Sequence, residues 1–477
     1  MNDISRTAMT ADLENAMTDS STAGLPAGDA LLVGQAADVR TQLCEQDAAW
    51  RGGHTRRTFL AGLGMVGVAA LGSQLVTTRA AYAAPGASNG NTLITVFLRG
   101  AADGLRILVP ASSDLGLDYL TSVRPKLVPT ALSPLAGTGG WALNSALKPL
   151  LPFWDSGELA FVPGVSTGGI TRSHFQAQSY LERGSDTSTT GWLDRALAQL
   201  GPGTTFRAVA EGATLPAAMA GEQTKLVVNS LKNFVFPGWS GVAPQSETAI
   251  ATMYRGLTGP LGEDVPTTLA ALATAASAQA KAGVQNGAVY PSGNFSTALK
   301  DLATLLRAEV GMQVATVDVG GWDTHTDEVN QLDRNLASAA SSLAAFLTDL
   351  GPDRRKRVTV AVVTEFGRRI AMNASGGTDH GHGSVVWLLG GGLQGGKVHG
   401  RWTPLAANTL DAGDVPGVNE VFDVLGELAQ KRLGVGSLSA LFPNHSFSPL
   451  GVANANTIPM PNQPPPPVAI RRGPRPR

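Results

Sequence analysis

Five short runs of consecutive apolar and β-branched residues predict strands that are buried on both faces. These runs span residues 92–98, 159–162, 314–319, 358–363 and 385–389. Segments with helical periodicity alternate with them and span residues 173–182, 296–309, 328–350 and 418–433. The alternation predicts an α/β fold, a doubly wound, mostly parallel sheet with helices on both faces. Residues 202–292 are rich in Ala and Gly, carry few strand signals and predict a helical insertion.

The N-terminal part of the chain lacks this periodicity. Residues 1–54 are polar and mixed, which predicts a disordered extension. Residues 55–83 have the layout of a twin-arginine export signal, because Arg56 and Arg57 precede a mild apolar run and a small-x-small cleavage site ends at Ala83. The apolar run is too short and too rich in Gly to form a stable membrane anchor. We therefore expect export by the twin-arginine machinery to the periplasm or the exterior.

Composition narrows the range of partners and ligands. A net charge of -1 at pH 7 argues against nucleic acid or an anionic membrane surface held by bulk electrostatics. The only cysteine, Cys44, precedes the predicted cleavage point, so a metal in the mature chain would be bound by oxygen and imidazole. Residues 454–477 are rich in Pro and predict an extended tail. The folded domain is thus predicted to span residues 92–450.

Four of the seven histidines lie in short glycine-bordered strings that also contain a carboxylate or a hydroxyl. The strings are Ser173-His174-Phe175, Gly321-Trp322-Asp323-Thr324-His325 and Thr378-Asp379-His380-Gly381-His382-Gly383. Histidines needed only for packing would be scattered, so this clustering predicts a metal site or an acid–base site.

Most of the unusual polar residues directly follow a predicted strand, as expected for a site at the carboxyl ends of the strands of a doubly wound sheet. Asp103 follows the first strand, where it either reaches a metal or caps a turn. Asp323 and Glu365 follow the strands that end at residues 319 and 363. The string 378–383 is the exception, because it precedes a strand. We predict that these distant loops meet at one edge of the sheet.

Several of these residues allow more than one role. Ser173 either caps a helix or acts as a nucleophile at the positive end of the helix dipole. His174 is a ligand, an acid–base group or a positioning residue. Glu365 is a metal ligand, a base or the partner of an arginine, and Arg368 or Arg369 is placed to hold an anionic group.

The predicted site therefore has two parts. The catalytic candidates are Ser173, His174 and Arg368. The pool of metal ligands, not all of which are expected to bind, comprises Asp103, Asp323, His325, Glu365, Asp379, His380 and His382. The expected cofactor is one or more divalent metal ions, with Zn, Mn, Ca and Mg left open.

Six strings occur in one order along the chain, at residues 97–104, 173–175, 191–195, 321–325, 365–368 and 377–381. Together they resemble a bacterial family known as domain of unknown function 1501, over residues 93–447. Members of that family resemble remote relatives of the alkaline phosphatase and sulfatase superfamily. The resemblance implies an alkaline phosphatase-like fold and a two-metal hydrolase with a Ser or Thr nucleophile.

Under this resemblance, Asp103 matches the aspartate after the first strand of the superfamily, and Ser173 matches the nucleophile that opens a helix. Asp323 and His325 match its Asp and His pair, although with a shorter spacing than in phosphatases. The implied substrate is a small anionic ester.

Two registers are open for the remaining ligands. Asp379 and His380 match the Asp-His pair of the superfamily by letter. Alternatively, Glu365 takes that place by strand position, and His380 or His382 supplies the later lone histidine. The second register is preferred because the order of strands and loops constrains the match more than two letters do. It places Phe366 where a ligand histidine is expected.

The leading hypothesis is an exported, metal-dependent hydrolase of phosphate or sulfate esters. The alternative is a non-catalytic exported protein that keeps the fold and serves in binding or surface assembly. The position of Phe366 and the shortened Asp-x-His spacing favour the alternative.

Overall fold

The computed structural model describes residues 90–169, 171–235, 243–257, 260–281 and 283–455. The predicted extension 1–54, the predicted export signal 55–83 and most of the predicted tail 454–477 lie outside these ranges. The described chain forms two compact units, one with residues 235–273 and the other with residues 90–234 and 274–455. Every residue of the predicted site belongs to the second, larger unit.

The secondary structure alternates between strands and helices along the larger unit. The strands are β1 (Thr92–Leu98), β2 (Leu108–Pro110), β3 (Leu132–Pro134), β4 (Trp141–Asn144), β5 (Leu159–Ser166), β6 (Ala208–Glu211), β7 (Leu226–Val228), β8 (Val314–Val319), β9 (Val358–Val363), β10 (Ser384–Gly390), β11 (Lys397–Val398) and β12 (Asn419–Glu420). The α-helices are α1 (Gly104–Ile107), α2 (Leu117–Val123), α3 (Leu151–Asp155), α4 (His174–Arg183), α5 (Trp192–Gln199), α6 (Ala243–Tyr254), α7 (Pro260–Ala280), α8 (Asn294–Arg307), α9 (Glu328–Arg355), α10 (Val421–Leu428) and α11 (Leu438–Leu441). Within the described ranges, none of these helices has both the length and the apolar character needed to cross a bilayer.

One mixed sheet organises the larger unit. Its strands lie in the order β11-β5-β10-β9-β1-β8-β6-β7, and β12 pairs with β5. Neighbouring strands are parallel except at β10, which runs antiparallel to both β5 and β9. Strands β2, β4 and β3 form a second, small antiparallel sheet. The prediction of a mostly parallel sheet with helices is confirmed, and each of the five predicted runs is a strand of this sheet.

Helices cover the sheet on both faces, as the unbroken apolar runs of its strands require. All seven residues of β1 are buried. On one face, Leu181 of α4, Leu197 of α5 and Leu425 of α10 pack in one core cluster with Phe97 and Val363 of the sheet. Helices α8 and α9 contact β8 and β9 outside this cluster. Each buried leucine stabilises the fold by roughly 1.5–3 kcal/mol relative to an exposed one.

The region 202–292 is only partly helical. It contains α6 and α7, as predicted, but its first part adds β6 and β7 to the edge of the main sheet. Strand β6 pairs in parallel with β8, and β7 pairs in parallel with β6. These strands have only four and three residues, so their sequences carry too little periodicity to be told from a loop.

Candidate metal centre at the carboxyl edge of the sheet

The topology brings three of the predicted loops to one edge of the main sheet. Strands β5, β8 and β9 run in the same direction, so the loops that follow them leave the sheet at its carboxyl edge. These loops carry His174, Asp323 and Glu365. Because β10 is antiparallel to β9, a loop that precedes β10 reaches the same edge. This direction explains why His380, which comes before its strand, still meets the other residues.

Four side chains meet there with their donor atoms facing one another. The Nε2 atom of His380 lies 3.0 Å from Nε2 of His174 and 3.0 Å from Nε2 of His325. Asp323 Oδ1 lies 3.1 Å from Nε2 of His380 and 3.1 Å from Nε2 of His325. Asp323 Oδ2 lies 3.5 Å from Nε2 of His174. We call these four residues the imidazole cluster.

The other nitrogen of each imidazole is held by an acceptor outside the cluster. Nδ1 of His174 lies 2.8 Å from Glu365 Oε1. Nδ1 of His325 lies 3.3 Å from Asp379 Oδ1. Nδ1 of His380 lies 2.9 Å from the carbonyl oxygen of residue 172. Because carboxylates and carbonyls only accept hydrogen bonds, each Nδ1 acts as a donor, and Nε2 of each ring faces the cluster.

This geometry fits a divalent metal ion. The donor atoms of His174, Asp323 and His380 all lie within 4.8 Å of one another. Ligands at the usual zinc–nitrogen distance of about 2.0–2.1 Å in a tetrahedral site lie about 3.3 Å apart, which agrees with the separations in the cluster. Histidine ligands that donate their second N–H to a carboxylate or a carbonyl are typical of metal sites in proteins. His174, Asp323 and His380 therefore fit one metal ion that prefers nitrogen and oxygen ligands, and His325 lies next to Asp323 and His380.

Hydrogen bonds and neighbouring charges favour the ionised form of two carboxyl groups, those of Asp323 and Asp379. Burial opposes ionisation of Asp323, but the hydrogen bond and the charge of Arg368 outweigh it and hold the pKa of Asp323 below its usual value. A hydrogen bond from Asn373 is the main cause that lowers the pKa of Asp379, and His325 lowers it further. Asp323 is thus a ready anionic ligand, and Asp379 can fix the orientation of His325.

Glu365 is an orienting residue in this geometry. Its side chain is fully buried, and Oε1 accepts hydrogen bonds from His174, from the backbone N–H of Gly100 at 2.9 Å and from Gln178 at 2.8 Å. Oε2 accepts a hydrogen bond from the hydroxyl of Thr364. Both oxygens of Glu365 therefore accept hydrogen bonds. These contacts support an orienting role for Glu365 and not the role of a metal ligand that the sequence suggested.

The aromatic ring of Phe366 packs against two of the imidazole rings. Its ring is buried, stacks on His174 at a centroid distance of 5.0 Å and contacts His380 at 5.2 Å. The position where the second register expects a ligand histidine therefore holds an apolar ring that packs against His174 and His380.

Arg368 does not occupy an anion-binding position. Its side chain is fully buried and donates to the carbonyls of Gly100, Ala101 and Thr378 and to Asp323 Oδ1 at 2.6 Å. A substrate has no access to a guanidinium that is enclosed in this way. Arg368 instead ties the loops after β1, β8 and β9 together and supports Asp323 from the buried side.

Asp103 also lies apart from the imidazole cluster. It caps α1 by accepting from the N–H of Leu105, and it forms an ion pair with Arg124 at 2.5 Å, with both side chains buried. The predicted convergence thus holds for Asp323 and His380 but excludes Asp103.

His382 makes a separate contact. Its Nδ1 lies 3.0 Å from Asp411 Oδ2, and its Nε2 is buried without a hydrogen-bond partner among the described residues. His382 is therefore not part of the imidazole cluster, although it lies two residues after His380.

Ser173 stands at the N-cap of α4, next to His174, but its hydroxyl makes no capping hydrogen bond. The alternative that Ser173 only caps the helix is therefore not supported by a side-chain contact. The role of the hydroxyl as a nucleophile stays a prediction.

Three supporting residues were missed from the sequence. Gln178 follows His174 by one helical turn, so the i, i+4 spacing carried a usable signal for its contact with Glu365. Asn373 donates to Asp379 and to the carbonyl oxygen of His325 from a loop with no recognisable motif. The contact of residue 172 uses a backbone carbonyl, which no side-chain pattern reveals.

Comparison with known proteins yields remote structural relatives. The chain is similar to the C-terminal periplasmic domain of EptC from Escherichia coli in complex with Zn, with 11% identity, 67% of this chain and 76% of that chain covered, and a TM-score of 0.30. It is similar to the lipoteichoic acid synthase LtaP from Listeria monocytogenes, with 10% identity, coverage of 78% and 79%, and a TM-score of 0.29. It is also similar to alkaline phosphatase from the Antarctic bacterium TAB5, with 11% identity, coverage of 64% and 92%, and a TM-score of 0.27. At these scores the likeness carries no functional argument.

The family assignment is firmer than these structural likenesses. No curated protein matches the chain. The model of the family described as "Protein of unknown function (DUF1501)" matches residues 165–417, which is more than half of the 477 residues. This match includes every member of the imidazole cluster. The chain therefore belongs to the DUF1501 family.

Proposed function

We propose that this protein is an exported, metal-dependent hydrolase of phosphate or sulfate esters. One observation carries the proposal, namely the convergence of three Nε2 atoms and the ionised carboxylate of Asp323, with each Nδ1 held by an acceptor. The side chains of His174 and His380 are 24% and 20% exposed, so the centre lies open enough for a small ligand.

Each residue has a distinct part in this proposal. His174, His380 and Asp323 hold the ion, and His325 stands beside them as the fourth donor. When bound, a divalent ion polarises the ester and lowers the pKa of an attacking hydroxyl or water. Ser173 supplies the nucleophilic hydroxyl at the start of α4, where the helix dipole favours negative charge.

The residues fit one metal ion better than two. Of the carboxylates that a second ion would need, Asp103 is neutralised by Arg124, and both oxygens of Glu365 accept hydrogen bonds. Phe366 occupies the place of a further ligand. We therefore expect a single divalent ion per chain, in contrast to the two that the superfamily resemblance implies.

The export part of the proposal rests on residues 55–83 alone. The paired arginines, the apolar run and the cleavage site point to the twin-arginine route. Because this route carries folded proteins, a metal site assembled before export agrees with it.

Metal analysis of the purified mature protein tests the proposal first. We expect one tightly bound divalent ion per chain, and clearly less than one would count against a metal enzyme. A screen with aryl phosphate and aryl sulfate esters then tests the chemistry. Ser173→Ala should lose turnover while it retains the metal, and Ser439→Ala on the exposed surface of α11 is the matched control. Equal turnover by wild type and Ser173→Ala would remove Ser173 as the nucleophile.

A second candidate is a non-catalytic binding or surface-assembly protein that keeps the metal centre as a structural element. The buried, internally paired state of Asp103, Glu365 and Arg368 favours this candidate, because these residues are unavailable to a substrate. It predicts one metal ion per chain and no turnover of any ester. It also predicts that removal of the metal lowers the melting temperature, as is usual for structural zinc.

A further inference from the structure

Two partly exposed arginines converge on one buried carboxylate beside the imidazole cluster. Arg172 donates through a terminal nitrogen to Asp414 Oδ2 at 2.6 Å, and Nε of Arg369 lies 3.5 Å from Asp414 Oδ1. The side chain of Asp414 is fully buried, whereas those of Arg172 and Arg369 are 44% and 38% exposed. The single negative charge of Asp414 thus faces two positive charges.

Backbone contacts place both arginines next to the cluster. The carbonyl of Arg172 accepts the hydrogen bond from Nδ1 of His380. The N–H of Arg369 donates to the carbonyl of Asp379, and the charge of Arg369 contributes to the lowered pKa of that carboxyl. The backbones of both arginines are therefore hydrogen-bonded to residues 379 and 380.

A tight turn restrains the guanidinium of Arg369. It donates to the carbonyl of Ala412 at 2.8 Å, and Gly413 in the same turn has a φ of 91°. A Cβ atom on Gly413 would lie 2.4 Å from the terminal nitrogen of Arg369. Glycine is thus required there for two reasons, the left-handed backbone and the close approach of the guanidinium.

These arginines differ from the two buried ones nearby. Arg124 and Arg368 are enclosed, and their donors point to carboxylates and backbone carbonyls. Among the described residues, the guanidinium of Arg172 has a single hydrogen-bond acceptor, Asp414, although arginine offers five donors. Its remaining donors are directed at no protein acceptor in the part of the chain that the structure describes.

We propose that Arg172 and Arg369, held by Asp414, form a clamp for the unesterified oxygens of an anionic phosphoryl or sulfuryl group. The substrate class rests on the function proposed above, and the clamp takes the role that the sequence suggested for Arg368. Guanidinium groups bind such oxyanions through paired N–H donors, and a buried carboxylate that fixes their orientation reduces the entropy lost on binding. Asp414 is the positioning residue of the clamp.

Binding of inorganic phosphate tests the clamp without relying on turnover. We would titrate phosphate into wild type, Arg172→Gln, Arg369→Gln and the control Arg354→Gln, each in zinc-loaded and zinc-free form, by isothermal calorimetry. Arg354 is an exposed arginine in the last turn of α9. Loss of one charge-assisted hydrogen bond should weaken phosphate binding about 10- to 100-fold in either clamp variant and leave the control unchanged.

Two further variants separate binding from folding. Arg172→Lys keeps the charge but loses the paired donors, so it should recover only part of the affinity. Gly413→Ala changes no charge but displaces Arg369, so it should weaken phosphate binding while zinc content stays close to that of wild type; the strained left-handed backbone should lower the melting temperature, which is measured alongside to confirm that the variant is folded. If esters are turned over, the clamp variants should raise KM and the inhibition constant of phosphate more than they lower kcat.

The outcomes distinguish the clamp from the proposed hydrolase. Phosphate affinity equal in both clamp variants and Arg354→Gln overturns the clamp, whether or not the protein hydrolyses esters. Phosphate binding that depends on Arg172 and Arg369 in a protein that neither retains zinc nor turns over esters supports the clamp and contradicts the hydrolase.

Discussion

Two groups of polar side chains near the same edge of the sheet differ in the side chains that face their carboxylates. In the imidazole cluster, three Nε2 atoms and the Asp323 carboxylate face a common point. In the second group, which we call the buried carboxyl pair, Asp103 and Glu328 lie together in the core, and the charge of Asp103 is balanced by Arg124. Both aspartates have an arginine partner, Arg368 for Asp323 and Arg124 for Asp103, but only Asp323 also faces imidazole nitrogens.

The buried carboxyl pair shows how this internal compensation works. Burial opposes ionisation of Asp103, but the charge of Arg124 and the hydrogen bonds from Glu328 and Arg124 together lower its pKa. Burial, followed by the charge of Asp103, raises the pKa of Glu328 to about 9, so Glu328 is protonated at neutral pH. Glu328 accepts a hydrogen bond from the hydroxyl of Thr378 at 2.6 Å, and its proton can be shared with Asp103. The pair therefore holds a single negative charge beside a single positive one.

The comparison teaches that residue type and position after a strand do not identify a metal ligand. Asp103 and Asp323 both follow strands of one sheet, yet only Asp323 meets histidines. The deciding feature is whether imidazole nitrogens face the carboxylate, because each of the two aspartates pairs with an arginine. The following variants test this difference between the two groups, from the largest expected effect to the smallest.

Arg124→Met should produce the largest effect, on stability. It leaves the charge of Asp103 buried without its partner, which typically costs about 3–5 kcal/mol of the free energy of unfolding. Denaturant titration checks the loss, and the double variant with Asp103→Asn should recover part of it. Metal affinity should stay close to that of wild type. A loss of metal binding in a folded Arg124→Met variant would contradict the separation of the two groups.

His380→Ala should remove metal binding. His380 lies at the centre of the cluster, and loss of a direct ligand should exceed the roughly 10- to 100-fold loss that follows removal of an orienting partner. Competition with a chelating dye measures the affinity. His382→Ala is the matched control, because His382 bonds Asp411 and should retain the metal. If both variants bind metal equally, the imidazole cluster is not the site.

Glu365→Gln should have a smaller effect on the same affinity. The amide group cannot accept hydrogen bonds at both positions, so the contacts of His174, Gly100 and Thr364 with residue 365 are no longer all satisfied. Metal affinity should fall about 10- to 100-fold. An affinity equal to that of wild type would show that the orientation of His174 does not depend on Glu365.

Glu328→Gln should have the smallest effect, on the pH dependence of stability. The folded-state pKa of Glu328 is raised from 4.5 to about 9, so its contribution to stability is fully present below pH 4.5 and is lost as the pH rises toward 9. The glutamine variant lacks this titration. Between pH 5 and pH 8, the melting temperature of wild type should fall relative to the variant by on the order of 2 °C or more. If the melting temperatures of wild type and variant differ by the same amount at pH 5 and at pH 8, Glu328 is not protonated in the folded protein.

The sequence predicted the main sheet well because its strands are continuous apolar runs. Strand β1 and strand β9 each have the unbroken burial that such runs require. The short strands β6 and β7 were missed, because their pairing depends on the neighbouring β8 more than on their own residues. The direction of each strand in the sheet could not be predicted from the sequence either. The antiparallel β10 decides that His380 reaches the site, and no local pattern encodes it.

The site was predicted only in part, because local sequence strings marked four of its residues but did not reveal contacts with distant parts of the chain. Glycine-bordered His and Asp strings marked His174, Asp323, His325 and His380, and these residues do meet. The arginine that neutralises Asp103 comes from α2 and its loop, far from any such string, so the sequence offered no means to separate Asp103 from the ligands. Burial of Arg368 depends in the same way on carbonyls from two distant loops, those of Ala101 and Trp322, in addition to that of Thr378 in its own loop.

X-ray absorption spectroscopy of the zinc-loaded protein tests the central claim most directly. If His174, His325 and His380 bind one ion together with Asp323, the spectrum should show one zinc per chain, nitrogen and oxygen neighbours at about 2.0–2.1 Å, and outer-shell scattering from three imidazole rings. Zinc below one ion per chain, or a coordination shell without imidazole, would contradict it.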